Sequence, residues 1–197
     1  MSQKDPLIIA MKGHPGTGKS TLASYLASSL SLPLIDKDDI RDSTLPVQEA
    51  LGLASSASRL LNDLSYDAMW RIASTQLRHG LGAIIDSPLS RKTHLNRLES
   101  MATAYHARLI IVECRPSNEA VWRMRLQGRA TGDNGGGWHK PSTWADIERL
   151  LEGYGGCTEY EIGDVPRIVV DTTEPGARIE DTASAVMEFI ASHGGCS

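Results

Sequence analysis

This 197-residue chain holds only three cysteines and one phenylalanine, and aromatic residues make up 5% of it. Cys114, Cys157 and Cys196 are far apart and form no C-x-x-C pair. That excludes a disulfide framework and a cysteine-built zinc site. Cys114 closes an apolar run and reads as a small buried side chain. No apolar run reaches the roughly 20 residues that span a bilayer. The opening residues Met1-Ser2-Gln3-Lys4-Asp5-Pro6 carry no signal-peptide core, so an intracellular protein with no membrane partner is expected. Basic residues are not in excess. The net charge of −4 argues against a long nucleic-acid track while leaving room for a local basic pocket. No N-K-x-D stretch is present, which speaks against a guanine-nucleotide switch. What remains, 41% hydrophobic and 22% charged, is ordinary for a globular chain, and the length fits one α/β domain over residues 1–197.

Short apolar runs alternate with helical patterns. Strands are predicted at residues 7–11, 32–35, 83–85, 108–113 and 167–170, the third ending at Asp86 and the fifth at Asp171. Helices are predicted at 20–30, 58–79, 92–105, 117–127, 143–153 and 179–192. Such an order implies a parallel sheet with helices on both faces, and polar loops at the carboxyl ends of the strands form its ligand crevice. No internal repeat interrupts the pattern.

The first of those loops is specific. Gly13-His14-Pro15-Gly16-Thr17-Gly18-Lys19-Ser20 completes G-x-x-x-x-G-K-[ST] between a strand and a helix. In that motif the glycines let backbone N–H groups converge on phosphate oxygens, the lysine reaches the β- and γ-phosphates, and the serine hydroxyl meets Mg²⁺. The following helix aims its positive end at the same anion. Residues Gly13 to Thr21 are therefore expected to bind a nucleoside triphosphate with Mg²⁺, Ser20 being the direct metal contact. His14 occupies a variable position and receives no catalytic role.

Three further clusters gather at the same end. Asp36-Lys37-Asp38-Asp39-Ile40-Arg41 places three carboxylates and two cations after strand two. Alone it reads as a solvated turn opening a helix. Beside a phosphate loop it can supply the carboxylate that orients a hydroxyl and the cations that neutralise a transferring phosphoryl group. Asp86 ends strand three where a Walker-B carboxylate stands, able to hold a water on Mg²⁺ or to bind an acceptor. Arg123, Arg125 and Arg129 precede the glycine-rich stretch 131–137. Arg125 and Arg129 share a helix face, whereas Arg123 points elsewhere. At least one should clamp phosphates or lie on the base. The stretch itself suits a lid over residues 123–145 that closes on the nucleotide. His139, Lys140, Trp138 and Trp144 at its far end read equally well as ordinary loop and packing residues.

These motifs, in this order, resemble the small P-loop kinases related to the kinase domain of phage polynucleotide kinase, with zeta toxins, chloramphenicol phosphotransferase and gluconate kinases as looser relatives. Residues 13–21 resemble G-x-P-G-[ST]-G-K-S-T, residues 37–41 resemble R-D-D-x-R, and Asp86-Ser87-Pro88-Leu89 resembles D-[ST]-x-x. The resemblance implies a P-loop α/β/α fold with a five-stranded parallel sheet of order 2-3-1-4-5 and a helical lid. It implies ATP and Mg²⁺ as cofactors and transfer of the γ-phosphate to a hydroxyl of a small molecule, by a monomer or homodimer. Asp38 matches the base that activates the acceptor, and Arg41 the arginine that binds the acceptor or the transferred phosphate. Lys19 and Ser20 match the phosphate and metal contacts. Arg123 best matches the lid-side phosphate-binding arginine, a catalytic role, with Arg125 or Arg129 as rivals for it under a small alignment shift. Residues 36–41 with Ser87-Pro88 are also similar to adenylylsulfate kinase, so a nucleotide or nucleic-acid 5′-hydroxyl is the alternative acceptor. A nucleotide-binding protein that transfers to no acceptor is the contrasting class.

Overall fold

The computed structural model describes residues 5–52, 55–131, 145 and 159–193. In chain order it holds β1 (Leu7–Lys12), α1 (Lys19–Leu30), β2 (Leu34–Asp36), α2 (Lys37–Asp42), α3 (Leu45–Ala50) and α4 (Ser55–Arg78). There follow β3 (Ala83–Asp86), α5 (Lys92–Ala104), β4 (Arg108–Cys114), α6 (Glu119–Thr131), β5 (Arg167–Val170) and α7 (Ile179–Ser192). The five strands are parallel, in the order β2-β3-β1-β4-β5. The expected sheet order is the observed one.

Both faces of the sheet are covered, which is why β1, β3 and β4 are almost continuously apolar. Ile8, Ala10, Ile85 and Ile111 pack with Met69, Trp70, Ala73 and Leu77 of α4 and Leu95 and Leu98 of α5. Ile9, Met11, Ile84 and Val112 pack with Leu22 and Leu26 of α1 and Ala183, Val186 and Ile190 of α7. At about 25 cal/mol per Å², each such fully buried aliphatic side chain stabilises the fold by about 1.5–3 kcal/mol. β5, at the edge, leaves Val169 exposed.

Two short helices follow β2, the first where residues 36–41 read as a turn opening a helix, the second not expected. Residues 37–42 form α2, whose start is capped by Asp36: its carboxylate accepts from the Asp38 amide at 2.7 Å. Residues 45–50 form α3, which buries none of its residues and so carries no apolar stripe to read. In α4 the mixed three- and four-residue spacing resolves into two faces. Met69, Trp70, Ala73 and Leu77 turn inward, while Leu60, Leu64 and Ile72 are exposed. No described helix is long and apolar enough to cross a membrane. The expected lid is described only through its α6 root. Apart from residue 145, its remainder and the 143–153 helix lie outside the described residues, as do Trp138, His139, Lys140, Trp144, Cys157 and Cys196.

Candidate active site

Residues 13–18 fold as the tight turn that the spacing requires. Gly16 and Gly18 have φ of 84° and 79°, where L side chains are strained. A Cβ on Gly16 would stand 2.8 Å from Leu126 Cδ2 and 3.0 Å from Trp122 Nε1. A Cβ on Gly18 would stand 2.8 Å from Thr172 Oγ1. Helix α1 starts on Gly18 with no side-chain cap and no acid in its first turn. That leaves an anion-seeking N-terminus. Replacing Gly16 with alanine is expected to lower Tm and weaken ATP binding by about tenfold, the strain of a non-glycine residue here being about 1–3 kcal/mol. Calorimetric titration with ATP checks it, and unchanged affinity would show that the loop relaxes without cost.

The loop is held from α6 and from the end of β5. Trp122 Nε1 donates to the Pro15 carbonyl at 2.8 Å, and the indole stacks on His14. Thr172 Oγ1 donates to the Thr17 carbonyl. Arg125 in turn donates to Thr172, at 3.0 Å to Oγ1 and 2.7 Å to the carbonyl. Gly16, Gly18, Arg125, Thr172, Arg178 and Thr182 line an open cleft of about 380 Å³ beside the loop. Its size is that of a small-ligand site.

Of the three candidate arginines, the structure thus brings Arg125 to the phosphate loop. Arg123 stands on the outward face of α6, ion-paired at 2.5 Å with Glu119 one turn earlier and about half exposed. The side chain of Arg129 lies outside the described residues. Trp122, Thr172 and the cleft around them were missed by the sequence reading. A Trp122-x-x-Arg125-Leu126 stripe was the available signal, since both apolar residues are buried.

On the other side of the loop the carboxylates converge. Lys19 Nζ donates to Asp86 Oδ1, and Asp86 is fully buried with its other oxygen lacking any hydrogen-bond partner. Asp36 is opposite Asp86 in the β2–β3 register. Burial, then repulsion from Asp86, pushes the Asp36 carboxyl up to about 6. The native state therefore holds a proton in the window between 3.8 and about 6 that the unfolded chain has released, and stability falls as pH rises through it. Asp36→Asn keeps the oxygen that accepts from Asp38. It is expected to raise Tm at pH 7 and to flatten the Tm profile between about pH 4 and 6. Thermal denaturation without nucleotide measures this, and an unchanged profile would remove Asp36 as the cause.

Asp38 lies in the first turn of α2, paired at 2.7 Å with Lys37, with its side chain 27% exposed and so accessible to a ligand. Lys37 also donates to Asn62 Oδ1 at 3.3 Å and lies over the Tyr66 ring. Arg41 is 1% exposed. Its guanidinium donates to Thr44 at 2.5 Å, Gln48 at 3.1 Å and Ser58 at 3.0 Å, knitting α2 to α3 and α4.

A glycine loop opening an uncapped helix, its lysine bound to a buried strand-end aspartate, defines a P-loop nucleotide-binding protein of the α/β class. The chain belongs to the AAA domain family, whose model matches residues 8–145. No curated protein matches it. Among solved structures it is similar to a putative kinase from Chloroflexus aurantiacus, with 23% identity and a TM-score of 0.71, over 98% of this chain and 99% of that one. A gluconokinase from Sinorhizobium meliloti shares 16% identity at a TM-score of 0.59, covering 97% and 95% of the two chains. The APS kinase of Mycobacterium tuberculosis, solved with AMPPNP and APS, shares 17% at 0.57, covering 95% and 99%. These likenesses establish the common fold.

Proposed function

We propose that this protein is an ATP-dependent phosphotransferase that moves the γ-phosphate to a hydroxyl of a small molecule, within the polynucleotide-kinase-like group of small P-loop kinases. The observation that carries the reading is the carboxylate cluster facing the phosphate loop. Lys19 is held by Asp86, and Asp38 stands accessible on the neighbouring turn. A protein that only binds nucleotide has no need of a second, reachable carboxylate there.

In this reading ATP lies with its phosphates in the 13–18 loop and its base in the cleft beside Arg125 and Thr172. The acceptor hydroxyl lies against Asp38, which takes its proton as the oxygen attacks the γ-phosphorus. The bond from that phosphorus to the bridging oxygen breaks, and ADP leaves with the electron pair. Lys19 meets the charge on the transferring group, and positioning and electrostatics supply most of the rate. Arg41, enclosed by Thr44, Gln48 and Ser58, acts as a positioning residue that sets α2 and hence Asp38.

The site fits Mg²⁺. The Ser20 hydroxyl and the unpartnered Asp86 oxygen are hard donors. Bound there, Mg²⁺ would supply charge neutralisation for the transferring phosphates.

An ATP-consumption screen across hydroxylated metabolites, with mass detection of a product heavier by one phosphate, tests the reading. Hydrolysis of ATP with no phosphorylated product from any acceptor would overturn it.

A further inference from the structure

A second polar cluster stands immediately before the phosphate loop, on the opposite face of the sheet from the Lys19–Asp86 pair. Strand alternation puts it there. Ala10 and Ile111 belong to the core under α4 and α5, and Met11 and Val112 to the core under α1 and α7. Lys12 and Glu113, adjacent in the β1–β4 register, therefore project on the α4–α5 side. Both are buried, at 8% and 3% exposure. Lys12 Nζ donates to Glu113 Oε1 at 3.1 Å, Arg115 to the same oxygen at 2.8 Å, and Arg167 to Oε2 at 3.2 Å. Lys12, Glu113 and Arg115, with His14, Ser90, Trp122 and Glu159, wall a cleft of about 230 Å³.

Resting on the phosphotransferase reading above, we propose that this cleft seats the body of the acceptor and selects an uncharged, multiply hydroxylated molecule of the sugar or polyol class. Position is the first argument. Gly13 and His14 belong to the phosphate loop, and Pro88 and Ser90 follow Asp86, so the cleft adjoins the loop that holds the donor phosphates. Only β3 separates β1 from β2, about 10 Å at ordinary strand spacing, so a small molecule in the cleft can present a hydroxyl toward Asp38. The volume lies below the roughly 300–1,000 Å³ of drug-sized sites, which favours a small acceptor over a nucleotide.

Charge is the second argument. The cations of the wall, Lys12 and Arg115, are both bound to Glu113, and Glu159 adds a further carboxylate. Burial, then the Lys12 charge, hold the His14 imidazole below its ordinary value, so at neutral pH it adds no positive charge. An anionic acceptor would face the Glu159 carboxylate and two cations already engaged by Glu113. Hydroxyls, each at once donor and acceptor, match what the wall offers: the Lys12 ammonium, the Glu113 oxygens, the Ser90 hydroxyl and a neutral imidazole. The Trp122 ring supplies an apolar surface for the carbon skeleton.

The test is ATP turnover with acceptors of matched size in three charge classes: sugars and polyols, sugar acids, and sugar phosphates. The uncharged class is expected to give the highest kcat/KM. Ser90→Ala and Glu113→Gln are each expected to raise acceptor KM about tenfold, the loss of one buried hydrogen bond, with KM for ATP unchanged. Ser90→Ala leaves the ion pair intact and keeps the test valid where Glu113→Gln does not fold. Best turnover with an acid or a phosphate, or an unmoved acceptor KM in Ser90→Ala, would overturn the selectivity while leaving the phosphotransferase standing. ATP consumption without product in all three classes overturns the phosphotransferase and this inference with it.

Discussion

Asp38→Asn should lower kcat by about 10²–10⁴, the usual contribution of a positioned general base, while ATP affinity stays within about twofold. The two readouts separate because of where Asp38 sits. Its carboxylate pairs with Lys37 in α2, whereas the contacts proposed for the nucleotide fall to residues 13–18, Arg125 and Thr172. Asparagine preserves size and one acceptor oxygen but cannot take a proton. Single-turnover transfer and calorimetric ATP titration on the same variant measure both quantities. A variant with full activity would move the base to another group, and Asp36, with its carboxyl near 6, is the next in line.

Glu113→Leu should destabilise the protein by about 3–5 kcal/mol, because it leaves the Lys12 ammonium buried without a counter-charge. Arg115 and Arg167 are about half exposed and turn to water when Glu113 is removed. Lys12 is nine-tenths buried and has no such escape. Lys12→Met combined with Glu113→Leu should therefore recover most of the loss, since two apolar side chains can fill the space of a buried ion pair at little cost. Denaturant unfolding of both variants decides it, and equal destabilisation of single and double variant would show that shape rather than charge governs the site. pH dependence runs in a fixed direction. Burial alone would raise the Glu113 carboxyl, but hydrogen bonds from Arg115 and Lys12 and their charges hold it below its ordinary 4.5. The stabilisation is thus present above that value and is lost as pH falls through the lowered one.

Much of the architecture was legible because burial on both faces writes strands as unbroken apolar runs: Leu7 to Met11, Ile84-Ile85 and Leu109 to Val112 are nearly pure core. The phosphate loop was legible because its chemistry is local, eight consecutive residues between one strand and one helix. α3 was not, since a helix that buries nothing leaves no periodic trace. The arginines show a second limit. Arg123 and Arg125 lie two positions apart, and which one meets the loop depends on how α6 is rotated. That rotation is set by Trp122 and Leu126 packing near Gly16. Lys12 and Glu113 show a third, for no local pattern links residues 101 positions apart until β1 and β4 are known to be neighbours.

That separation also bears on how the chain is made. β1 sits at the centre of the sheet, yet both strands that flank it, β3 and β4, come much later in the sequence. A ribosome adding about 5–20 residues per second needs about 5–20 s to pass from Lys12 to Glu113. Throughout that interval the run Ile8-Ile9-Ala10-Met11, fully buried in the finished sheet, has no strand to pair with on at least one side. During synthesis, the segment that carries the phosphate loop therefore waits with its apolar run unpaired.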